Sequence, residues 1–515
     1  MPYIAYSTPK ANGAIYATVV ESHRDGNKII QRRIENLGRV INQEKGIFQN
    51  RKRGIFCFAL EEGATEVSSE TIAALQPTTQ QALVEQEKLI LDFGDSYMLH
   101  KYIEKGIIIE AIKEALPNEQ DTLLALLFYR ILTDKKANCY ALTWWSGNYA
   151  RLLFPAAQLS SQRISEFLVR LGDESVQRVF FERYLGILYG HRVEQTAAVL
   201  IDSSGLPNAS GMSITQLSNH NGDINLEIRL IYVIDRQSGL PIYFRYCAGN
   251  IVDVSTLCTT IAELSQYNVN VDYAIVDAGY FSETNAGEMY KNGIHFITRL
   301  APNRKLYKNV AAEQLGDIIS SKYAIRYGNR LLYMKKAKVD ICGYDGYAYI
   351  GVDVDSRNSQ VKRAIFNSMD DKLSPEETDL RITKLGVFVL ISSDDMEIKD
   401  VLPLYYTRQQ VEQVFDIGKN NADILPLRIQ NEDTFRGHLM LTFMATAIFQ
   451  KLQRDIITTR KKGDKTNPEG AFMKLRNQKC KVYCDNIVPQ EAVKEINDIY
   501  KLLRIECPTI IAKAT

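Results

Sequence analysis

Two continuous apolar runs that each end on an aspartate constrain the fold of this chain more than any other feature. TAAVLIDSSG places Asp202 at the end of one run, and NVDYAIVDAGYF places Asp277 at the end of the other. Continuous apolar runs are typical of central strands covered on both faces of a sheet. Together with the helical patterns around them, they predict an α/β layer domain. Ligands gather at strand ends in such folds, so both carboxylates are candidate site residues, although each could instead only cap a turn.

The order of patterns along the sequence predicts several segments. The chain has 515 residues, which is too long for one compact domain. A strong hairpin signal stands at Asp25 and Gly26, and a strand-rich stretch interrupts the α/β pattern after residue 300. We predict, in order, a small β unit at 1–75, a helical region at 76–192, the first part of the α/β domain at 193–300, a β-rich insertion at 301–383, the second part of the α/β domain at 384–450, and a basic helical tail at 451–515.

Charge is distributed unevenly, although the formal net charge is only +1. Between Arg299 and Lys338, ten lysines and arginines stand against two acidic residues, and the stretch 454–481 is also basic. Such stretches fit a track for a polyanion on one face, although solvated surface charge explains them equally well. No apolar run reaches 18 residues and the N-terminus lacks the layout of a signal peptide, so we expect a cytoplasmic protein without a membrane span.

Several local signals have simple structural explanations. LSSQRISEFLVRLG offers Ser160 as a helix cap, and this helix is either a plain bundle helix or the second helix of a helix-turn-helix. Asp253 precedes VSTLCTTIAEL and is expected to cap the helix that begins there. The eight cysteines are scattered, and Cys480 and Cys484 lack both zinc-ribbon spacing and a nearby histidine. We therefore expect reduced and mostly buried thiols.

The stretch YYTRQQVEQVFDIGK carries four polar groups at unusual spacing. Projected as one helix at about 100° per residue, Tyr405, Arg408, Glu412 and Lys419 fall in a stripe roughly 60° wide beside an apolar face. A surface helix with an incidental pair between Arg408 and Glu412 would look partly similar. That alternative does not explain a narrow stripe over four turns with a tyrosine and a second cation. The stripe is therefore a candidate for chemistry.

The residue types in this stripe and at the two strand ends suit phosphate chemistry. Three carboxylates can bind Mg²⁺ or Mn²⁺, because both ions prefer oxygen ligands. Two such ions about 4 Å apart can activate a hydroxyl nucleophile and stabilise a leaving oxygen. Arginine and lysine contact phosphate, and a tyrosine hydroxyl can hydrogen-bond a phosphate oxygen. The set therefore favours a phosphodiester substrate over a glycoside, which would not need the two cations.

The same stretch resembles a known family signature. Tyr405, Arg408, Glu412 and Lys419 match at all four positions the Y-(2)-R-(3)-E-(6)-K signature of DDE transposases from bacterial insertion sequences, in the superfamily named after insertion sequence four. LIDSSG and IVDAGYFSETN resemble the segments around the first and second catalytic aspartates. RQSGLPIYFRYCAGNIVDVSTL resembles the Gly-Leu-Pro turn and G-N-x-x-D-x-x-T stretch of the family. The resemblance covers roughly residues 14–450.

The resemblance implies an α/β fold in which an RNase H-like catalytic domain is interrupted by the β-rich insertion and preceded by the small β unit and the helical region. It implies two Mg²⁺ or Mn²⁺ ions, a metal-binding catalytic triad and a set of DNA-phosphate contacts. The triad is Asp202, Asp277 and Glu412, and the phosphate contacts are Tyr405, Arg408 and Lys419. Two positions depart from the family pattern: Ser204 stands where Thr is frequent, and Ala248 stands where Pro is common. Ser204 keeps the hydroxyl, so neither departure removes a member of the triad.

The implied function is DNA transposition. The partners would be double-stranded DNA, both terminal inverted repeats and target, and a second copy of the chain, since two ends are paired; no membrane is involved. The helical region 76–192 is a candidate for binding the DNA ends, and the protein would act in the bacterial cytoplasm at the nucleoid. Two alternatives remain at this point. One is a metal-dependent nuclease of the same fold that cuts without joining. The other is a transposase-derived DNA-binding protein that no longer cuts, which the intact triad argues against.

Overall fold

The computed structural model divides into two compact units, which are residues 1–88 with 483–485 and residues 89–482 with 486–515. The structure describes residues 2–7, 15–25, 28–43, 45–67, 89–133, 136–190, 196–208, 210–218, 224–371, 374–382, 385–422, 424–425, 427, 429–483 and 486–512.

The first unit contains an antiparallel sheet whose six strands pair in the order of the sequence. The strands are β1 (Pro2–Tyr6), β2 (Tyr16–Asp25), β3 (Lys28–Asn42), β4 (Ile47–Asn50), β5 (Gly54–Ala59) and β6 (Gly63–Glu66). Strands β2 and β3 form the expected hairpin, with Asp25 opposite Lys28, and the turn residues 26–27 lie outside the described residues. A small apolar core, which includes Leu37 and Phe48, lies on this sheet.

The second unit begins with a short strand and seven helices. They are β7 (Leu89–Asp92), α1 (Gly94–Ile103), α2 (Ile107–Ala115), α3 (Gln120–Leu132), α4 (Ala141–Gly147), α5 (Ala150–Leu153), α6 (Ser161–Leu171) and α7 (Glu174–Gly190). The expected cap of α6 is confirmed, because the Ser160 hydroxyl accepts a hydrogen bond from the Arg163 amide at 3.4 Å. The apolar face of α6, including Phe167 and Leu171, is buried, a pattern that both a bundle helix and a helix-turn-helix would show.

A large mixed sheet follows, and its first strands carry the two aspartates. The elements are β8 (Thr196–Pro207), β9 (Gln216–Ser218), β10 (Asn225–Asp235), β11 (Pro241–Ala248), α8 (Leu257–Gln266), β12 (Asn270–Val276), α9 (Glu283–Lys291) and β13 (His295–Arg299). The strand order is β11–β10–β8–β12–β13, in which β8, β12 and β13 run parallel and the other pairs are antiparallel. Asp202 lies inside β8 rather than at its end. It follows Ile201, where the pairing with β12 stops, so Asp202 and Asp277 still share one edge of the parallel pair.

The segment predicted as a β-rich insertion extends this same sheet. Its elements and the strand that follows are α10 (Lys305–Gln314), β14 (Ala324–Tyr327), β15 (Arg330–Ile341), β16 (Tyr344–Asp353), α11 (Val354–Asp370), α12 (Pro375–Ile382) and β17 (Val387–Ser392). Strand β17 pairs with both β13 and β16, and so continues the order as β13–β17–β16–β15–β14. The last six residues of β16 are buried, as expected for a strand covered on both faces.

The C-terminal part is dominated by one long buried helix. The elements are α13 (Ile398–Tyr406), α14 (Gln409–Asn420), α15 (Glu432–Thr459), α16 (Pro468–Leu475), β18 (Lys479–Val482), β19 (Asn486–Pro489), α17 (Lys494–Leu502) and β20 (Ile511–Ala512). Helix α15 approaches α6 so closely that a Cβ on Gly437 would clash with the Leu168 carbonyl oxygen. Strands β20, β19 and β18 form a small antiparallel sheet with β7. The expectation of mostly buried thiols was wrong, because among the seven cysteines of the described residues the structure buries only Cys480 fully. Within the described residues, no helix is long and apolar enough to cross a membrane.

Candidate active site

The stretch 405–419 is not one continuous helix, so the single helix assumed in the projection was wrong. Tyr405 lies in the last turn of α13, whereas Glu412 and Lys419 lie on α14. Thr407 and Arg408 join the two helices and keep helical backbone angles. Around them the hydrogen bonds span three residues, as in the bond from the Arg408 amide to the Tyr405 carbonyl at 3.1 Å. This is a local tightening of the 3₁₀ type, and it leaves the polar groups on one side.

The Arg408 guanidinium lies between all three predicted carboxylates. Its Nη1 is 3.1 Å from Asp202 Oδ2 and 3.6 Å from Asp277 Oδ2, and its Nη2 is 2.9 Å from Glu412 Oε1. The structure therefore brings the two strand-derived aspartates and the helix-derived glutamate to one place. The pair between Arg408 and Glu412 exists, but it is one of three contacts rather than an isolated surface pair.

Asp202 is the least exposed of the three acids. Its side chain is 16% exposed, against 40% for Asp277 and 54% for Glu412. Burial raises the pKa of Asp202 to about 7, although the Arg408 charge and a 2.8 Å hydrogen bond from the Ser203 amide oppose that rise. The nearby negative charges of Asp277 and Asp253 add to it. One guanidinium thus compensates this carboxylate only in part, and the site favours additional positive charge.

Tyr405 and Lys419 lie on either side of this cluster. The Tyr405 hydroxyl donates a 3.3 Å hydrogen bond to Asp277 Oδ1, and burial followed by the Asp277 charge raises the pKa of the phenol. Lys419 Nζ donates to the Ser204 hydroxyl at 2.7 Å. Ser204 is two residues after Asp202 on β8 and therefore faces the same side of the sheet. All six predicted site residues are thus assembled at one edge of β8.

A cavity of about 180 Å³ opens beside Arg408 and Glu412, and it contains arginines that motif reasoning missed. Arg299, the last residue of β13, and Arg330 both line it. Arg330 pairs with Asp353, whereas no carboxylate pairs with Arg299 within the described part of the chain. The charge of Arg299, like that of Arg408, opposes the rise in the pKa of the Tyr405 phenol. The only sequence signal for Arg299 was its position at the start of the basic stretch 299–338.

Asp253 does not cap a helix as expected, because its carboxylate points to a buried arginine. Arg229 Nη1 donates to Asp253 Oδ1 at 2.7 Å, and the Ser203 hydroxyl donates to the same oxygen at 2.5 Å. Helix α8 begins instead after Thr256, without a side-chain cap. Sequence reasoning missed this contact because Arg229 lies on β10, 24 residues before Asp253, and no local pattern links the two.

Across the described residues, no three acidic, histidine or cysteine side chains are arranged to hold one metal ion in this conformation. At this site the three carboxylates do not surround a common metal position because the Arg408 guanidinium lies between them. The donor set itself consists of carboxylate oxygens, the ligand type that Mg²⁺ and Mn²⁺ prefer. The three acids already hold a cation, and Asp202 remains under-compensated. The residues therefore fit a divalent ion, provided that Arg408 moves away.

Comparison with known proteins gives one family match. The family model described as the transposase DDE domain matches residues 198–448, just under half of the chain. The matched part begins in β8, ends in α15 and includes Asp202, Asp277 and Glu412. A search of the curated proteins finds no match. Among solved structures, the cryo-EM structure of the piggyBac transposase synaptic complex with hairpin DNA is similar over 76% of this chain and 82% of that chain, with a TM-score of 0.40 and 12% identity.

Proposed function

We propose that this chain is a DDE transposase, which the match of residues 198–448 to the transposase DDE domain supports. It acts on double-stranded DNA at the terminal inverted repeats of a bacterial insertion sequence of the YREK-signature group. Water attacks a phosphodiester at the element end, breaks its bond to the 3′ oxygen and leaves a free 3′-OH. That hydroxyl then attacks a target phosphodiester, forms a new P–O bond and releases the 3′-OH of the target strand. The DNA-bound form is a homodimer, since two ends are paired, and it works in the cytoplasm at the nucleoid.

We propose that the catalytic domain is RNase H-like. The support is the strand order β11–β10–β8–β12–β13, with β8 central, antiparallel to β10 and parallel to β12. This arrangement brings one carboxylate from β8 and one from the end of β12 to the same edge. A later helix, α14, supplies the third carboxylate, that of Glu412. The segment 301–383 enters between the second and third carboxylates, as the resemblance implies.

Asp202, Asp277 and Glu412 would hold two Mg²⁺ or Mn²⁺ ions. When bound, such ions supply activation of the attacking hydroxyl and stabilisation of the leaving oxygen. The chain's own contribution is the position of its carboxylates. Asp202 is held on the central strand by the Ser203 amide, and Asp277 is held by the Tyr405 hydroxyl. Thr298 Oγ1 also donates to the Asp277 carbonyl at 3.2 Å and fixes the backbone at the strand end.

Arg408, Tyr405 and Lys419 would contact DNA phosphates. Arg408 can give two parallel hydrogen bonds to a phosphate, and its present partners are carboxylates that bound cations would neutralise. Lys419 lies beyond Ser204 on the same face, where a neighbouring phosphate could pass. Arg299 is a further candidate because its guanidinium lines the adjacent cavity without a carboxylate partner among the described residues. These cations supply a local attraction for the DNA backbone despite the neutral net charge.

The observation that carries this proposal is the convergence of two strand-derived aspartates and one helix-derived glutamate on a single cation. The test uses the full chain, Mg²⁺ and a plasmid that carries the DNA flanking its gene. Asp202→Asn, Asp277→Asn and Glu412→Gln should each abolish cleavage while binding to the flanking DNA persists. The control is Asp416→Asn, an exposed acid one turn further along α14.

The products separate the alternatives. Joined products in the wild type support a transposase, and cleavage without joining supports the nuclease. Wild-type binding without cleavage supports a DNA-binding protein. Full cleavage by any of the three variants would refute the triad.

A further inference from the structure

We propose that Asp253 is a positioning residue that fixes the spacing of Asp202 and Asp277 from the opposite face of the sheet. The inference rests on the proposed function, because it concerns the carboxylates assigned there to metal binding. Asp253 touches neither of these carboxylates directly. It contacts the residue after Asp202 and the turn after Asp277.

The first link runs through Ser203. Side chains alternate along a strand, so Ser203 points away from the face on which Asp202 meets Arg408. The Ser203 hydroxyl donates to Asp253 Oδ1 at 2.5 Å, while the Ser203 amide donates to Asp202 Oδ1 at 2.8 Å. Ser203 therefore hydrogen-bonds Asp202 through its amide on one side of the sheet, and Asp253 through its hydroxyl on the other side.

The second link runs through the turn that follows Asp277. A Cβ on Gly279 would lie 3.3 Å from Asp253 Oδ2, so this second oxygen abuts the backbone of the turn. Asn285 fastens the two turns together, because its Nδ2 donates to the Val254 carbonyl at 2.7 Å and to the Tyr280 carbonyl at 2.9 Å. Asp253 Oδ1 thus contacts the residue that follows Asp202, and Asp253 Oδ2 contacts the turn that follows Asp277.

Arg229 makes this connection rigid. Its side chain is 4% exposed and that of Asp253 is 13% exposed, and their atoms are 2.7 Å apart. Arg229 also reaches the Ser218 hydroxyl at 3.2 Å and Glu227 at 3.5 Å, so strand β10 and its neighbour β9 anchor it. A charge that is paired and hydrogen-bonded out of water has few alternative positions. Asp253 is therefore held from behind while it holds Ser203 and the Gly279 turn.

This role matters more for Mg²⁺ than for a more tolerant ion. Mg²⁺ demands near-ideal octahedral geometry, so a small change in the separation of two carboxylates weakens its binding. Loss of a residue that orients metal ligands commonly costs 10–100-fold in metal affinity or activity. We expect Asp253→Asn, which removes the charge and keeps the shape, to weaken Mg²⁺ by about that factor and Mn²⁺ by less.

The experiment measures two quantities on the full chain. The first is the Mg²⁺ and Mn²⁺ affinity of Asp253→Asn in an Arg408→Ala background, where the guanidinium does not compete for the carboxylates. The second is the ratio of Mg²⁺- to Mn²⁺-supported cleavage of the plasmid described above, in the wild-type background. The matched control is Asp235→Asn, a fully buried carboxylate at the other end of β10. It should lower thermal stability and leave both the affinities and the ratio unchanged.

Two further variants keep the inference testable if Asp253→Asn fails to fold. Ser203→Ala breaks the first link and leaves the buried ion pair intact, and Gly279→Ala crowds the second link. Both should lower the Mg²⁺ to Mn²⁺ ratio, with a smaller effect than Asp253→Asn. Unchanged ratios and affinities in all the variants that fold, alongside a wild type that cleaves, would overturn the positioning role and leave the proposed function standing. A wild type that neither binds metal nor cleaves would overturn the proposed function itself.

Discussion

Replacement of Arg408 by alanine should strengthen divalent-metal binding in the absence of DNA. The guanidinium lies within 3.6 Å of all three carboxylates, so a metal ion and Arg408 compete for the same oxygens. A bound DNA phosphate would give the guanidinium another anion to contact and would release the carboxylates. Tighter metal binding in Arg408→Ala would mean that Arg408 excludes the metal ion from the carboxylates. Unchanged or weaker binding would mean that Arg408 only neutralises their charge.

The size of the effect follows from the two close contacts. The contact with Asp202 is a largely buried charged hydrogen bond at 3.1 Å, a type that contributes about 1.5–3 kcal/mol. The contact with Glu412 is exposed, and such pairs contribute only about 0–1 kcal/mol. A competition of about 2 kcal/mol corresponds to metal binding that is roughly 30-fold tighter in Arg408→Ala. Removal of Arg408 also removes a charge that lowers the pKa of Asp202, so this pKa rises further in the variant. Metal affinity should therefore be measured at pH 8.5, so that protons compete less for Asp202.

Isothermal titration of the DNA-free chain with Mn²⁺ measures this affinity. Arg408→Lys keeps one positive charge without the paired donors and should lie between the wild type and Arg408→Ala. Arg330→Ala is the control, because Arg330 lines the same cavity but pairs with Asp353. Duplex DNA should bring the wild type towards the affinity of Arg408→Ala. Equal or weaker Mn²⁺ binding in Arg408→Ala at pH 8.5 would refute the competition.

Three other outcomes are expected. Because protons compete with metal for Asp202, whose pKa is about 7, Mn²⁺ affinity should fall up to about tenfold per pH unit below 7, and a flat profile between pH 5.5 and 8 would contradict this. Lys419→Met should weaken binding to the flanking DNA and reduce its salt dependence by about one phosphate contact, whereas Lys451→Met on α15, which pairs with Asp455, should change neither. Burial, followed by the Arg130 charge, holds the pKa of His438 well below 6.5, so only the unfolded chain takes up this proton. Stability should therefore fall below pH 6.5 by up to about 1.4 kcal/mol per pH unit, and urea unfolding of His438→Asn should show a slope shallower by that amount; an identical slope would argue against it.

The position of Asp202 and Asp277 at one edge of the sheet could be predicted from the sequence because the signals for their strands are local. Apolar runs such as AAVLI define where a buried strand lies, and the parallel pairing of β8 with β12 then brings Asp202 and Asp277 to one edge. The cap at Ser160 is equally local, since the hydroxyl contacts an amide three residues later. In each case the deciding contact is short-range or follows from the sheet alone.

The features that the sequence did not predict depend on distant partners. Asp253 precedes a helix and has the right residue type for a cap, but a buried arginine 24 residues earlier in the sequence outcompetes the helix amides. The tightened turn at Thr407 and Arg408 changes hydrogen-bond partners without changing residue preferences, so a projection at uniform pitch cannot reveal it. Strands β14–β16 join the main sheet through β17, a pairing that no local pattern encodes.

The small sheet of β7 with β18–β20 has a consequence for any shortened version of this protein. Strand β7 opens the second unit and its partners close it, so two segments nearly 390 residues apart in sequence complete each other. The Phe93 and Gly94 amides both donate to the Gln478 carbonyl at 3.1 Å, and Leu91 is 1% exposed. A chain ended at residue 450 would lose β18, the strand that pairs along β7, and would uncover Leu91. Fragments meant to isolate the catalytic chemistry should therefore keep both ends, or lose them together.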